Sequence, residues 1–140
     1  MDKAGIHAFM TGFRYGVVSS IAADGSPQSA LVGIAVTADL EIIFDTVRSS
    51  RKYPNLIARP ACSFVVGWPG EQTLQYEGTA IEAQSADLER VREAYFAVWP
   101  DGRDRLAWPG LTHFVVKPRW LRFSDFDQSP PLIVEMSFPA

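Results

Sequence analysis

The chain has 140 residues, a length that predicts one domain over residues 1–140, and 47% of them are hydrophobic, too many for a disordered chain. A formal net charge of -3 supplies no global basic field for nucleic acid. No basic amphipathic helix and no apolar run of about 18 residues invites a membrane.

The N-terminus "MDKAGIHAFM" is too polar for a signal peptide, so a cytoplasmic location is the expectation. Ile6, Phe9 and Met10 fall at helical spacing within residues 2 to 12, and Gly12 can end that helix. "RYGVVSSIA" reads as a strand, "ADGSP" as a turn with a strong Asp24-Gly25 hairpin signal, and "QSALVGIAV" as the returning strand. After "TADL", the segment "EIIFDT" is a third strand, completing an antiparallel meander. A short helix then runs to about Ala58, capped by Ser49 or Ser50, with Pro54 confined to its first turn. "ACSFVVGW" is a fourth strand and "TLQYEGTAIEA" a fifth. The alternation in the fifth is only partly clean, which predicts two half-buried faces. Cys62, in the fourth, reads as a buried strand residue, and a single cysteine excludes an intramolecular disulfide framework.

"SADLERVREAYFAVW" is the clearest helix, with Ser85 as N-cap, Asp87 and Glu89 in the first turn, and an apolar stripe of Leu88, Val91, Tyr95 and Val98. "PDGRDRLAWPG" reads as an irregular connection whose charges, Asp101 to Arg105, are solvated. "LTHFVVKPRWLRFSDFD" is a long final strand, bent or bulged at Pro118, and the apolar tail "QSPPLIVEMSFPA" packs on the body or on a partner subunit. The expected fold is mainly β with flanking helices: a six-stranded antiparallel split β-barrel of Greek-key type, whose closure protects the sheet edges.

The chemistry concentrates in "FDTVRSSRKYPNLIARP". A phosphate needs positive charge, hydroxyl donors and free backbone N–H groups, and a helix start supplies the last of these. Arg51 adds a bidentate fork, Lys52 a point charge, and Thr46, Ser49 and Ser50 hydroxyls. Arg48 reads as a surface residue. By spacing alone, the segment is either an anion site or a solvated basic loop.

The run "IIFDTVRSSRKYPNLIARPACSFVV" resembles the flavin-binding split-barrel family typified by pyridoxamine phosphate oxidase. In that family an apolar strand ends in an aromatic and Thr, a Ser-Arg-Lys or Ser-x-Lys loop follows, and a short helix ends in x-Pro before another apolar strand. The similarity extends from about Tyr15 to Ala83, with a looser match in "KPRWLRFSDF". It implies FMN bound at the interface of a homodimer, and an FMN-dependent oxidoreductase moving two electrons between flavin and a small molecule. By position, Arg51 and Lys52 would grip the FMN phosphate, with Ser50 and Thr46 adding hydrogen bonds. Gln28, Ser29, Ala30, Leu31 and Val32 would run beside the isoalloxazine ring, partly through backbone groups. Gln75 and Trp120 would reach the flavin of the partner subunit. The alternatives are a non-catalytic flavin- or haem-binding module and a deazaflavin-dependent reductase on the same fold.

The end of the chain departs from the family pattern. "WLRFSDFDQSPPLIVEM" lacks the Arg-containing segment before Leu-x-Pro that helps the oxidases hold pyridoxamine phosphate, and Arg122 does not take its place. A different small molecule is therefore expected. His7 and His113 lie far apart without Cys or carboxylate at metal-ligand spacing, so no metal site is expected, and His113 reads as a strand residue of the core or interface that would meet a substrate or haem only if the last strand lined the pocket. A missing acid–base constellation is compatible with flavin chemistry, because the flavin itself accepts the hydride.

Overall fold

The computed structural model describes residues 1–139. Helix α1, Lys3–Thr11, starts at Asp2, whose carboxylate accepts from the Gly5 amide. Strands β1 (Tyr15–Ile21) and β2 (Pro27–Gly33) form the expected hairpin around Asp24-Gly25, with Gly25 at φ +87. β3 (Ala35–Val36) pairs with β4 (Ile42–Val47), and α2 (Lys52–Ala58) leads into β5 (Ala61–Val66) and β6 (Gln72–Glu82). Helix α3 (Ala86–Val98), a 3-10 helix (Pro100–Ala107), β7 (Leu111–Asp125) and β8 (Leu132–Ser137) complete the chain.

The strands form one antiparallel sheet in the order β2-β1-β5-β6-β7-β4-β3, with β8 also on β7. The two ends of this path, β2 and β3, are separated in sequence by Ile34 alone, so the sheet curls until its ends approach. This is the split barrel, with eight strands rather than six. The "QSALVGIAV" strand divides at Ile34, whose amide bonds to Arg14 O at 2.9 Å, and the tail adds β8.

The 15-residue β7 makes the extra strand possible. One of its edges carries β6 beside Phe114–Asp125; the other carries β4 beside Leu111–Val116 and β8 beside Trp120–Asp125. The handover falls at Pro118, where the register with β6 shifts between Glu77 and Gly78. A Cβ on Gly78 would lie 2.5 Å from the Lys117 carbonyl oxygen, so the bulge requires glycine there.

Two cores result. The barrel interior holds Ile6 and Met10 of α1 among Phe44, Phe64, Phe114 and Phe123. There the Tyr76 hydroxyl lies 2.8 Å from Leu40 O and 3.0 Å from Val116 O, which satisfies a fully buried O–H. A smaller core joins α3 to the outside of the sheet through Val91, Tyr95, Phe96, Ile43 and Val115. Leu88 and Val98 of the expected stripe pack at its margin. Cys62 is buried, and burial pushes its thiol up to about 12.

Several expectations change. β6 alternates cleanly: Leu74, Tyr76, Gly78 and Ala80 face inward, while Gln75, Thr79 and Ile81 face out. Ser85 stands at the N-cap of α3 but makes no side-chain capping bond; its φ of +55 lies outside the extended geometry that capping residues adopt. Arg105 is not solvated; its guanidinium sits 2.8 Å from Asp45 and 3.0 Å from Asp101. His113, by contrast, is the buried strand residue expected, packed against Tyr95 and Phe96. No helix among the described residues is long and apolar enough to cross a membrane.

Candidate functional site

The β4–α2 junction packs beside the edge strand β2, and between them lies a cavity of about 190 Å³. Arg51 and Lys52 line it from one side, and Val18, Ser20, Gln28, Ser29 and Ala30 from the other. The two cations are thus brought to the strand that the sequence places beside them only by resemblance.

The loop reaches this position through a ladder of side-chain bonds. The Thr46 hydroxyl, at the end of β4, donates to Ser50 Oγ at 2.9 Å and accepts from Lys52 Nζ at 3.4 Å. The Ser50 amide closes a turn onto Val47 O at 2.9 Å. Ser50 is therefore engaged with Thr46 instead of capping α2, whose N-cap is Arg51 in helical geometry with no side-chain cap bond. Ser49 is exposed and does not line the cavity. Arg48 is held outside by Glu82, at 3.2 Å.

Lys52 and Arg51, like Arg14, Arg59, Arg92 and Arg103, have no carboxylate partner among the described residues, and they are the two cations that line this cavity. Arg48, Arg90, Arg105, Lys117, Arg119 and Arg122 each face a carboxylate. Lys52 is half-buried, and desolvation lowers its pKa below the usual lysine value, with the charge of Asp45 opposing. A bound anion would offset that desolvation, so the donor set fits a phosphate.

Asn55, absent from the sequence-derived set, supports the far wall. It is 5% exposed, and its amide nitrogen donates to Gln28 Oε1 at 2.9 Å and to Ser20 Oγ at 3.2 Å. The available signal was a polar residue amid the apolar "NLIA" face of a short helix.

The remaining predicted residues divide by strand alternation. On β2, Gln28, Ala30 and Val32 point inward and Ser29 and Leu31 outward. Val32 is buried in the core and Leu31 is 60% exposed, so neither lines the cavity. Register places Leu31 beside Val17, Val17 beside Val65, and Val65 beside Gln75. The next outward row runs Ser29, Ser19, Ser63, Glu77 and Trp120. Gln75 and Trp120 thus share a separate depression of about 180 Å³ on the outer face and do not meet the Arg51–Lys52 cavity within one protomer. β2 ends the sheet, so one edge of its backbone is free of strand partners among the described residues. His113 lines neither depression, and no cluster of metal-ligating side chains occurs among the described residues.

A curled antiparallel sheet with flanking helices, whose basic loop lies at an edge strand, defines the class as a split barrel. The pyridoxamine 5'-phosphate oxidase family profile matches residues 3–125, and the chain belongs to that family. It is 32% identical over 104 residues to a pyridoxine/pyridoxamine 5'-phosphate oxidase of Nocardioides sp., a match covering 74% of this chain and 47% of that protein. The chain therefore spans about half the length of this curated relative. Its fold is similar to a heme binding protein from Mycobacterium smegmatis, with a TM-score of 0.81 at 12% identity over 98% of this chain and 58% of that one. It is also similar to a pyridoxamine 5'-phosphate oxidase-related, FMN binding protein from Nostoc punctiforme, with a TM-score of 0.68 at 12% identity over 99% and 93%.

Proposed function

We propose that this protein is an FMN-dependent oxidoreductase that transfers two electrons between the flavin and a small molecule, working as a homodimer with flavin at the subunit interface. The observation that carries the reading is the convergence of Arg51 and Lys52, neither ion-paired among the described residues, on the cavity lined by Gln28, Ser29 and Ala30. Arg51 and Lys52 would hold the phosphate, and Thr46 would keep the Lys52 ammonium turned toward it. Asn55 would hold the Gln28 amide in place at the cavity wall. FMN, when bound, supplies hydride chemistry, which explains why no acid–base pair is needed from the chain.

The dimer reading rests on the outer sheet face. Leu31 and Val65 are 60% and 40% exposed and flank Val17 in one cross-strand row that continues to Gln75. An apolar patch of this kind, beside polar Gln75 and Trp120, suits a second copy that brings these two residues to the first copy's cavity.

Pyridoxamine phosphate is not the favoured substrate. Arg122 is committed to Glu135 on β8, with a 2.7 Å contact from Nε, and lies over the Trp120 ring at 5.6 Å. The test is a visible absorption titration with FMN, followed by mixing with NADH or NADPH. Twin flavin bands that stay with the protein and bleach on reduction support the proposal. Arg51→Ala with Lys52→Ala should weaken FMN binding by about a hundredfold or more, since two charge-assisted contacts to a dianion are lost. Wild-type affinity in that double variant would exclude the phosphate assignment. A protein that takes up haem and not FMN would make it a haem-binding module, and one that takes up only a deazaflavin would make it a deazaflavin reductase.

A further inference from the structure

We infer that the groove between α3 and the 3-10 helix is a second ligand site, matched to a zwitterionic α-amino acid with an apolar side chain. The groove is an open depression of about 440 Å³ and shares no lining residue with the Arg51–Lys52 cavity. That size lies within the range of small-molecule sites. Its apolar lining is Leu88 and Leu106, with Phe96 only 4% exposed, and its charges are Arg92, Arg103, Glu89 and Glu93.

A buried guanidinium nitrogen distinguishes this groove from ordinary surface. On the same two elements, Arg90 is paired with Asp87 and Glu41, and Arg105 with Asp45 and Asp101. The groove's own arginines form no ion pair among the described residues. Arg92 Nε is buried without a hydrogen-bond partner among them, an uncommon and costly condition for a donor. The Arg103 guanidinium is held 4.7 Å over the Phe96 ring. Glu89 and Glu93, one helical turn apart on α3, likewise make no ion pair among the described residues. Two cations and two carboxylates line one groove without neutralising each other. A ligand carrying carboxylate and ammonium on one carbon complements both pairs, and an apolar side chain covers the apolar lining. A simple carboxylate would leave Glu89 and Glu93 without a counter-charge.

The walls are fixed. A Cβ on Gly102 would meet Phe96 at 3.0 Å and Tyr95 at 3.2 Å, so the 3-10 helix is seated directly on α3. The Arg105–Asp45 pair ties it to β4.

The test is a titration of the ¹⁵N-labelled full chain with L-phenylalanine and L-leucine, read by amide shifts. Phenylacetate and phenethylamine, each carrying one of the two charges, serve as comparisons. Saturable shifts confined to α3 and the 3-10 helix are expected, with the half-ligands at least about tenfold weaker. Arg103→Ala, at an exposed position that folding tolerates, should weaken the amino acid by about tenfold or more. No saturable shift with either amino acid overturns the site. Equal affinity for phenylacetate overturns the zwitterion, and unchanged affinity in Arg103→Ala overturns the groove assignment. FMN binding at Arg51 and Lys52 is read separately from the same sample by its absorption, so the two sites fail or succeed independently.

Discussion

The Asn55 side-chain amide on α2 donates a 2.9 Å hydrogen bond to Gln28 Oε1 on β2, tying the helix that follows the basic loop to the edge strand it faces. A second contact, 3.2 Å to Ser20 Oγ, fixes the same amide to β1. Asn55→Ala should therefore destabilise the fold by about 1–2 kcal/mol, because Ser20 keeps a buried hydroxyl without this partner. It should also weaken FMN binding, although Asn55 does not line the cavity. Urea unfolding and an FMN titration on one variant measure both. Wild-type affinity would show that α2 holds its place without Asn55.

Glu82 organises the other side of the same loop. Thr112 Oγ1 donates to its carboxylate at 2.5 Å, Tyr53 at 3.0 Å and Arg48 at 3.2 Å. Burial alone would raise the Glu82 pKa, but these three donors together hold it below the usual glutamate value. A depressed pKa means that its contribution is present above the unfolded value near 4.5 and is lost as pH falls through the folded one. Glu82→Gln should cost about 1–3 kcal/mol at neutral pH and flatten stability below pH 4.5 relative to wild type. An unchanged denaturation midpoint at pH 7 would count against this hub.

His113 gives the opposite titrating group. Desolvation lowers its pKa from 6.5 to about 4; the charge of Asp45 opposes this, and Arg92 and Arg105 reinforce it. Between those values the unfolded chain binds a proton that the folded protein does not. Stability is thus complete above about pH 6.5 and declines as pH falls toward 4, by about 3 kcal/mol in all. The difference between wild type and His113→Leu, followed by thermal unfolding from pH 8 to 4, should carry this slope. A constant difference across that range would mean that the imidazole binds its proton equally in the folded and unfolded states, so that burial does not lower its pKa.

Leu31 tests the partner face. With 60% exposure in the protomer, Leu31→Glu should leave the monomer's stability nearly unchanged. Placed in a two-fold interface, it puts a buried carboxylate on each side and should yield monomers by light scattering. Flavin affinity should fall with it if Gln75 and Trp120 act across that interface. A dimer that survives Leu31→Glu would place the partner elsewhere.

Most of the strand plan was legible in the sequence because alternation and turn chemistry are local. Asp24-Gly25 specifies a hairpin wherever it lies, and "EIIFDT" can bury its run only inside a core. The same holds for Arg51 and Lys52, whose adjacency after a strand is a sequence fact. What local pattern does not carry is the count and ordering of strands. The break at Ile34 depends on its contact with Arg14, and β8 docks beyond the register shift at Pro118, which is visible only once β6 and β7 are paired.

The site divides along the same line. By itself the sequence determined that a basic, hydroxyl-rich loop joins a strand to a short helix, because composition and spacing are properties of neighbours. Only the tertiary structure decided which cations are free. Arg48 and Lys52 look alike in "RSSRK", yet Glu82, far along the chain, neutralises the first and leaves the second facing Gln28 and Ala30. Charge pairing is set by distance in space, and that distance exists only after the sheet has curled.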